Sequence, residues 1–234
     1  MSETAVLSHE GIEQGSDEWK RIRAGKVTAS RVSDVVAKTK SGPSASRATY
    51  MGELLAERLT GQTAERFKSP AMQWGNDTEA DARAAYSFYT GQDVAEIGFV
   101  DHPTVAMSGA SPDGLVGDNG LVEIKCPNVS THVETLLVGS IPNKYRTQMM
   151  WQLACTGRRW CDFVSYDPRL PEHMRLFVRR VERCDKTIAD LGAEIVKFLL
   201  ELNATIDDLN EKYPATAIAD RAIKSIGDTA HGTN

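Results

Sequence analysis

Cysteine is scarce in this chain: four among 234 residues (Cys126, Cys155, Cys161 and Cys184), with no CxxC pair. That spacing gives no support to a zinc or iron–sulfur centre and points to free thiols in a reducing, cytosolic setting. His102, His132 and His173 share no ligand spacing and read as surface or loop residues. No apolar run approaches the ~18–20 residues of a membrane span. The first twenty residues hold no apolar segment behind positive charge, so a secretory signal is not expected. Positive charge is not in surplus either. A net charge of -5 argues against general adhesion to nucleic acid and leaves room for a local basic groove. Internal repeats are absent, and a composition of 41% hydrophobic and 25% charged residues excludes a disordered or fibrous protein. The length suffices for one large domain or two small ones with a sizeable core.

What is present is a change of hydrophobic period along the chain. Ser16 can cap a helix whose first turn holds Asp17 and Glu18, with Trp19 and Ile22 on one face. "GKVTASRVSDVVAK" reads as a short extended stretch followed by a helix starting near Thr28 or Ser30. Met51, Leu54, Leu55 and Leu59 mark a helix over 45–60 that stops at Gly61, and a polar loop over 62–71 follows. Trp74, Ala82, Tyr86 and Tyr89 mark a helix over 72–90 that stops at Gly91. Period two then takes over, with strands expected at 93–100, 104–110, 113–117 and 121–126, the last two joined by "GDNG". Helices over 130–139 and 143–156 come next, then strands within "RRWCDFVSYD" and "MRLFVRRVER". A helix over 185–212 buries Ile188, Leu191, Ile195, Phe198, Leu199 and Leu202, and 214–234 is expected to be a mobile tail. The order gives an α/β fold, a central mixed sheet flanked by helices, in one domain over 1–213.

Within the period-two region, "SPDGLVGDNGLVEIKCP" sets Glu123 and Lys125 on one face of a strand and Val122, Ile124 and Cys126 on the other. A further carboxylate, Asp113, precedes Glu123 by ten positions. Charges inside a mostly apolar strand are costly unless paired or bound to metal. Two readings follow: an edge strand with one wet face, or a metal site in a wet cleft. In the second, the two carboxylates hold one or two Mg²⁺ ions through hard oxygen ligands. The ions activate a water, and the lysine orients it or steadies developing negative charge. Gly114 would let the backbone turn close to the metal. The basic strand "RLFVRRVER" fits DNA contact and fits a half-exposed strand equally, while Trp151 and Trp160 read as core.

"SPDG" and "GLVEIKCP" together resemble the PD-(D/E)xK nuclease superfamily, and within it the lambda exonuclease-like (YqaJ-type) viral recombinases. "DEWKRIRAGKVTASRV", "MQWGNDTEADAR", "KYRTQMMWQLACTG" and "FVSYDPR" extend the likeness, in the family's order, over residues 16–169. The resemblance implies a restriction-endonuclease-like core over about 72–182. It implies Asp113, Glu123 and the backbone carbonyl of Ile124 as metal ligands, with Glu79 as a second-metal or water-mediated ligand. Lys125 would orient or activate the nucleophilic water. Arg23, Ser30, Ser111 and Gln148 match positions that hold a 5′-phosphate, and Gln148 also matches a glutamine near the scissile end. Each has an ordinary alternative: Glu79 as a solvated helix residue, Gln148 as a surface or interface residue, Ser30 as a helix cap. Gln152 lies one turn beyond Gln148 and reads as support. The family's frequent second glutamine, two residues after the first, is Met150 here.

The same resemblance implies an exodeoxyribonuclease dependent on Mg²⁺, with Mn²⁺ as a substitute. It would digest one strand of linear double-stranded DNA from 5′ to 3′, release 5′-mononucleotides and leave 3′ overhangs for single-strand annealing recombination. It further implies a homotrimeric ring on DNA ends, a single-strand annealing protein as partner, no membrane, and a phage or prophage protein acting in the bacterial cytoplasm. The residues by themselves reach a Mg²⁺-dependent phosphodiesterase. A restriction-type endonuclease on the same core is an alternative. So is a catalytically inactive DNA-binding module, which the intact Asp, Glu and Lys set opposes.

Overall fold

In the computed structural model, which describes residues 9, 11–40, 42–63 and 69–214, Ser16 accepts the Trp19 N–H and starts helix α1 (Asp17–Arg23). Its acidic first turn and basic last turn complement the helix dipole. Strand β1 (Val27–Thr28) leads into a 3-10 turn at Ala29–Arg31 and a short helix α2 (Val32–Val36). A small hairpin follows, β2 (Lys38–Thr39) with β3 (Gly42–Pro43). Helix α3 (Ala45–Thr60) is capped by Ser44 and ends on left-handed Gly61. Helix α4 (Pro70–Thr90) is capped by Ser69 and ends on left-handed Gly91. Both stops use the one residue type that takes this backbone conformation without strain. Strands β4 (Val94–Ala95), β5 (Val100–Asp101), β6 (Ser108–Ala110), β7 (Gly114–Val116) and β8 (Gly120–Lys125) come next. They lead to helices α5 (Val129–Val138) and α6 (Asn143–Thr156), strands β9 (Trp160–Tyr166) and β10 (Leu176–Glu182), and helix α7 (Asp185–Lys212).

The main sheet has five strands in the order β10-β9-β8-β7-β4, antiparallel throughout except for the parallel pair β8–β9. Alternation gives it two apolar faces. One face presents Val116, Val122, Ile124 and Val164 to Ala82 and Tyr86 of α4. The other presents Leu121, Cys161 and Phe163 to the larger core, which takes Met149, Trp151 and Leu153 from α6 and Ile195, Phe198 and Leu202 from α7. Strands β1, β6 and β5 form a second, three-stranded sheet beside it. The C-terminal half of helix α6 is covered on all sides, every residue from Gln148 to Cys155 being buried. Among the described residues no helix is long and apolar enough to cross a membrane.

Several expectations are corrected. The helix expected from Thr28 or Ser30 begins only at Val32, and Thr28 makes no side-chain cap bond to the 3-10 turn before it. The strand expected over 93–100 is broken at 96–99, where the backbone pairs with the N-terminal segment through His9 N–H to the Phe99 carbonyl and Gln14 to the Ile97 carbonyl. The strand expected from 104 starts at Ser108, because the Thr104 and Val105 N–H groups donate to His102 Nδ1 in a turn. Leu59 and Tyr89, assigned to buried stripes, are 51% and 71% exposed. His132 is fully buried, its ring nitrogens 2.7 Å from Ser165 Oγ and 2.9 Å from the Met174 carbonyl oxygen. His102 stacks on buried Trp151 at 4.5 Å, and burial lowers its pKa to about 4. Gly114 does not serve a turn: a Cβ there would stand 2.2 Å from Val94 Cγ1 and 3.1 Å from Val122 Cγ1, so glycine is needed for packing between β4 and β8. The tail expected over 214–234 lies outside the described residues except for Pro214, as do 64–68 of the expected loop.

A buried ion pair joins the outer strands to α4. Asp162, on β9, accepts from Arg180 Nε at 2.8 Å and from the Tyr86 hydroxyl at 2.8 Å, and the Arg180 guanidinium lies 3.4 Å over the Trp160 ring. Removing the carboxylate leaves the Tyr86 hydroxyl unpaired in a dry site, which costs about 1–3 kcal/mol. Arg180, 44% exposed, recovers part of its loss in water. Asp162→Ala is therefore expected to lower stability by about 2–3 kcal/mol, measurable as a shift in the urea midpoint; an unchanged midpoint would show that the triad contributes nothing.

Candidate active site

The site forms where β7 ends beside β8. In the register Gly114 faces Val122, so two further pairs would set Asp113 opposite Glu123 and Pro112 opposite Ile124. Proline has no N–H to offer the Ile124 carbonyl. The Ile124 N–H donates instead to Asp113 Oδ2 at 2.6 Å. A strand residue's N–H and C=O share one edge, so the Ile124 carbonyl opens toward the same side as Asp113, with no ladder donor opposite it.

Glu123 and Lys125 project from the face that α6 covers. Glu123 is not in a wet cleft as expected: it is 0% exposed. Its Oε1 accepts from Gln148 Nε2 and its Oε2 from Gln152 Nε2, both at 2.5 Å, and Lys125 Nζ pairs with Oε1. Lys125 Nζ also stands 3.9 Å from Asp113 Oδ2. Burial works against the lysine's charge, but the Glu123 and Asp113 carboxylates outweigh it and raise its pKa. Glu79, on α4, accepts from Arg83 Nη2 at 2.8 Å; burial raises its pKa, opposed by Arg83 and Lys125. Asp113 carries the consequence of this crowding. Burial first and the Glu123 charge second push its pKa up to about 8, with Lys125 opposing.

A cavity of about 1200 Å³ adjoins this edge and is lined by Asp113, Glu79, Arg23 and Ser30 among others. Arg23 lies 3.6 Å over the Trp19 ring, and Trp19 Nε1 donates to Ser111 Oγ at 2.9 Å. Ser30 sits in the 3-10 turn with its Oγ 3.5 Å from Thr28 Oγ1. Gln148, grouped with these three by sequence, is instead on Glu123. The basic strand β10 spends its arginines internally, Arg180 on Asp162 and Arg179 on the Gly139 carbonyl. Lys26, Arg31 and Arg83 also line the cavity; they lie in stretches that carry the family likeness but were not singled out there. Gln152, read as support, is a direct partner of Glu123.

The donors present are hard oxygens: the Asp113 and Glu123 carboxylates and the Ile124 carbonyl, with Glu79 nearby. Among the described residues no group of three or more His, Cys, Asp or Glu is placed to hold a metal. Two features nonetheless fit a divalent cation of the Mg²⁺ type. Burial and the Glu123 charge push the Asp113 pKa up, which a cation would reverse, and the Ile124 carbonyl lacks a strand partner. The same shift makes the metal-free protein lose stability as pH rises from about 4 towards 8, because the unfolded chain releases this proton first. Cation binding must displace the proton, so affinity is expected to rise about tenfold per pH unit up to about 8 and flatten above. Calorimetric titration of Mn²⁺ at a series of pH values checks this; equal affinity at pH 6 and pH 8 would contradict it.

Comparison with known proteins gives the family and the fold. The YqaJ-like viral recombinase domain matches residues 18–159. The alkaline exonuclease LHK-Exo from Laribacter hongkongensis is 53% identical, with 84% of this chain and 97% of that one covered and a TM-score of 0.80. Its complex with dAMP matches to the same extent. A phage related exonuclease from Haemophilus somnus 129PT, at 15% identity and a TM-score of 0.61 over 80% of this chain and 96% of that one, shares the fold. No curated protein sequence matches significantly. A domain match over more than half the chain and a relative at this identity place the protein: it belongs to the YqaJ-like viral recombinase family, with the restriction-endonuclease-like α/β fold.

Proposed function

We propose that the protein is a Mg²⁺-dependent exodeoxyribonuclease that degrades the 5′-ended strand of linear duplex DNA. The observation that carries this reading is the convergence of Asp113, Glu123, Lys125 and the Ile124 carbonyl at the end of β7, next to a cavity lined by Arg23 and Ser30. Asp113, Glu123 and the Ile124 carbonyl would hold the ion, with Glu79 as a second or water-mediated ligand. A bound Mg²⁺ supplies a water of lowered pKa and steadies the charge on the attacking and leaving oxygens. Lys125, kept cationic by its carboxylate neighbours, stabilises negative charge developing on the phosphate. Gln148 and Gln152 hold Glu123 in one orientation, which such outer partners do for ligating carboxylates.

The polarity rests on the lining of the cavity. Arg23 offers a charge-assisted grip on a terminal phosphate, and Ser30 lines the same cavity, with Ser111 joined to it through Trp19. The relative LHK-Exo takes dAMP, a nucleoside monophosphate. Release of 5′-mononucleotides, 3′ overhangs for annealing recombination, a homotrimeric ring, a single-strand annealing partner and action in the cytoplasm of a phage host complete the proposal, as the resemblance to the lambda exonuclease-like recombinases implies.

Digestion of linear and closed circular duplex with Mg²⁺ or EDTA tests the reaction. Linear duplex should be consumed from its ends only with the metal, and circles spared; cleavage of circles would favour the restriction-type alternative. Asp113→Asn keeps an acceptor for the Ile124 N–H but removes the charge. It should lower the rate by a factor of about 10² or more, since one preorganised electrostatic group is worth about 2.7–4 kcal/mol, with little change in melting temperature. For polarity, wild type should prefer 5′-phosphorylated ends over 5′-hydroxyl ends, and Arg23→Ala should erase most of that preference. Equal wild-type rates on the two ends would show that the phosphate pocket is misassigned.

A further inference from the structure

The segment before α1 runs beside the site and is bonded to Pro112 through Gln14. Residues 11–15 line the large cavity, on the side of Asp113. The segment is seated tightly: a Cβ on Gly98 would come within 2.6 Å of the Ile12 carbonyl oxygen and 2.8 Å of that of His9. Gly15, at φ +90°, turns the chain so that the Ser16 N–H reaches the Glu13 carbonyl. Gln14, at this bend, donates from Nε2 to the Ile97 carbonyl at 2.9 Å and to the Pro112 carbonyl at 2.8 Å.

The second of these bonds bears on the metal site. Continuation of the β7–β8 register would have the Pro112 carbonyl accept the Ile124 N–H. Gln14 occupies that carbonyl instead, and the Ile124 N–H goes to Asp113 Oδ2. The Pro112 C=O and the Asp113 N–H belong to one rigid peptide plane, so holding the carbonyl fixes the plane from which Asp113 hangs. We propose that Gln14 is a positioning residue for the metal site, turning the Pro112–Asp113 peptide out of the sheet so that the Asp113 carboxylate and the Ile124 carbonyl face one cation. The proposal rests on the metal-site reading given above. Gln14 precedes the stretch matched by the family domain, residues 18–159.

The test is binding of Mn²⁺ to the full-length, DNA-free protein, followed by the electron paramagnetic resonance signal of the free ion. Gln14→Leu keeps the side chain's bulk but cannot donate, and Gln14→Asn keeps the amide but falls short of both carbonyls. Each should raise the Kd for Mn²⁺ about tenfold, the low end of what outer partners of metal ligands contribute. At saturating metal the KM for DNA ends should be that of wild type. His9→Ala, which loosens the same segment at Asp101 without touching Pro112, should leave the Kd unchanged. Wild-type affinity in both Gln14 variants, alongside lost binding in Asp113→Asn, would overturn the role of Gln14 and leave the metal site standing. Equal weakening by His9→Ala would also overturn it, since the segment would then act as a whole. Wild-type affinity in Asp113→Asn would instead overturn the metal site itself.

Discussion

Glu123 is a carboxylate with no exposed surface, placed at the middle of the sheet's central strand, and much of the architecture around it is a response to that charge. An ionised carboxylate in such a place costs several kcal/mol unless its lone pairs are met. Two glutamines one helical turn apart on α6 and the ammonium of Lys125 meet them. This requires the C-terminal half of α6 to face the side of β8 that carries Glu123. That half, Gln148 to Cys155, is consequently buried, and its residues Trp151 and Leu153 belong to the larger core. The site and the core thus share one helix, and a change that shifted α6 would loosen both.

The second constraint is the early end of β7. A sheet normally satisfies each backbone group through its neighbour, and here the neighbour stops at Gly114. Pro112 cannot donate, the Asp113 side chain replaces the Pro112 carbonyl as acceptor for the Ile124 N–H, and Gln14 donates to that carbonyl. A sheet edge that would otherwise be a pairing liability becomes a place where oxygens are presented in a fixed array. The sequence "SPDG" encodes the edge directly: proline ends the ladder, aspartate fills the gap, and glycine lets β4 and β8 close behind it.

This explains how far the sequence could be read. Helices α3, α4 and α7 were legible from apolar stripes and glycine stops, and β8, β9 and β10 from alternation, because local chemistry and tertiary packing agree there. That Glu123 and Lys125 share a face was legible because strand geometry fixes it, whereas Asp113 entered through its spacing and the family likeness. The break at 96–99 was not, since it depends on a segment more than eighty residues earlier crossing Gly98. His132 was misread because its partners, Ser165 and the Met174 carbonyl, lie more than thirty residues away. Gln152 shows the same limit: helical spacing places it beside Gln148, but only the sheet beneath reveals that both serve one carboxylate.

The distribution of cations completes the argument. The protein is net acidic, yet Lys26, Arg31 and Arg83 all line the cavity beside the site. Each is held by carboxylates: Lys26 by Asp101 at 2.6 Å, Arg31 by Asp34 and Glu53, Arg83 by Glu79 and Glu96. Such pairing cancels much of the long-range field that would draw any polyanion to the surface. It also restricts the rotamers of long side chains, so little further entropy is lost when they meet a phosphate. The acidic balance of the chain and the phosphate-bearing substrate proposed above are therefore compatible, since what matters is where the paired cations are held and not their number.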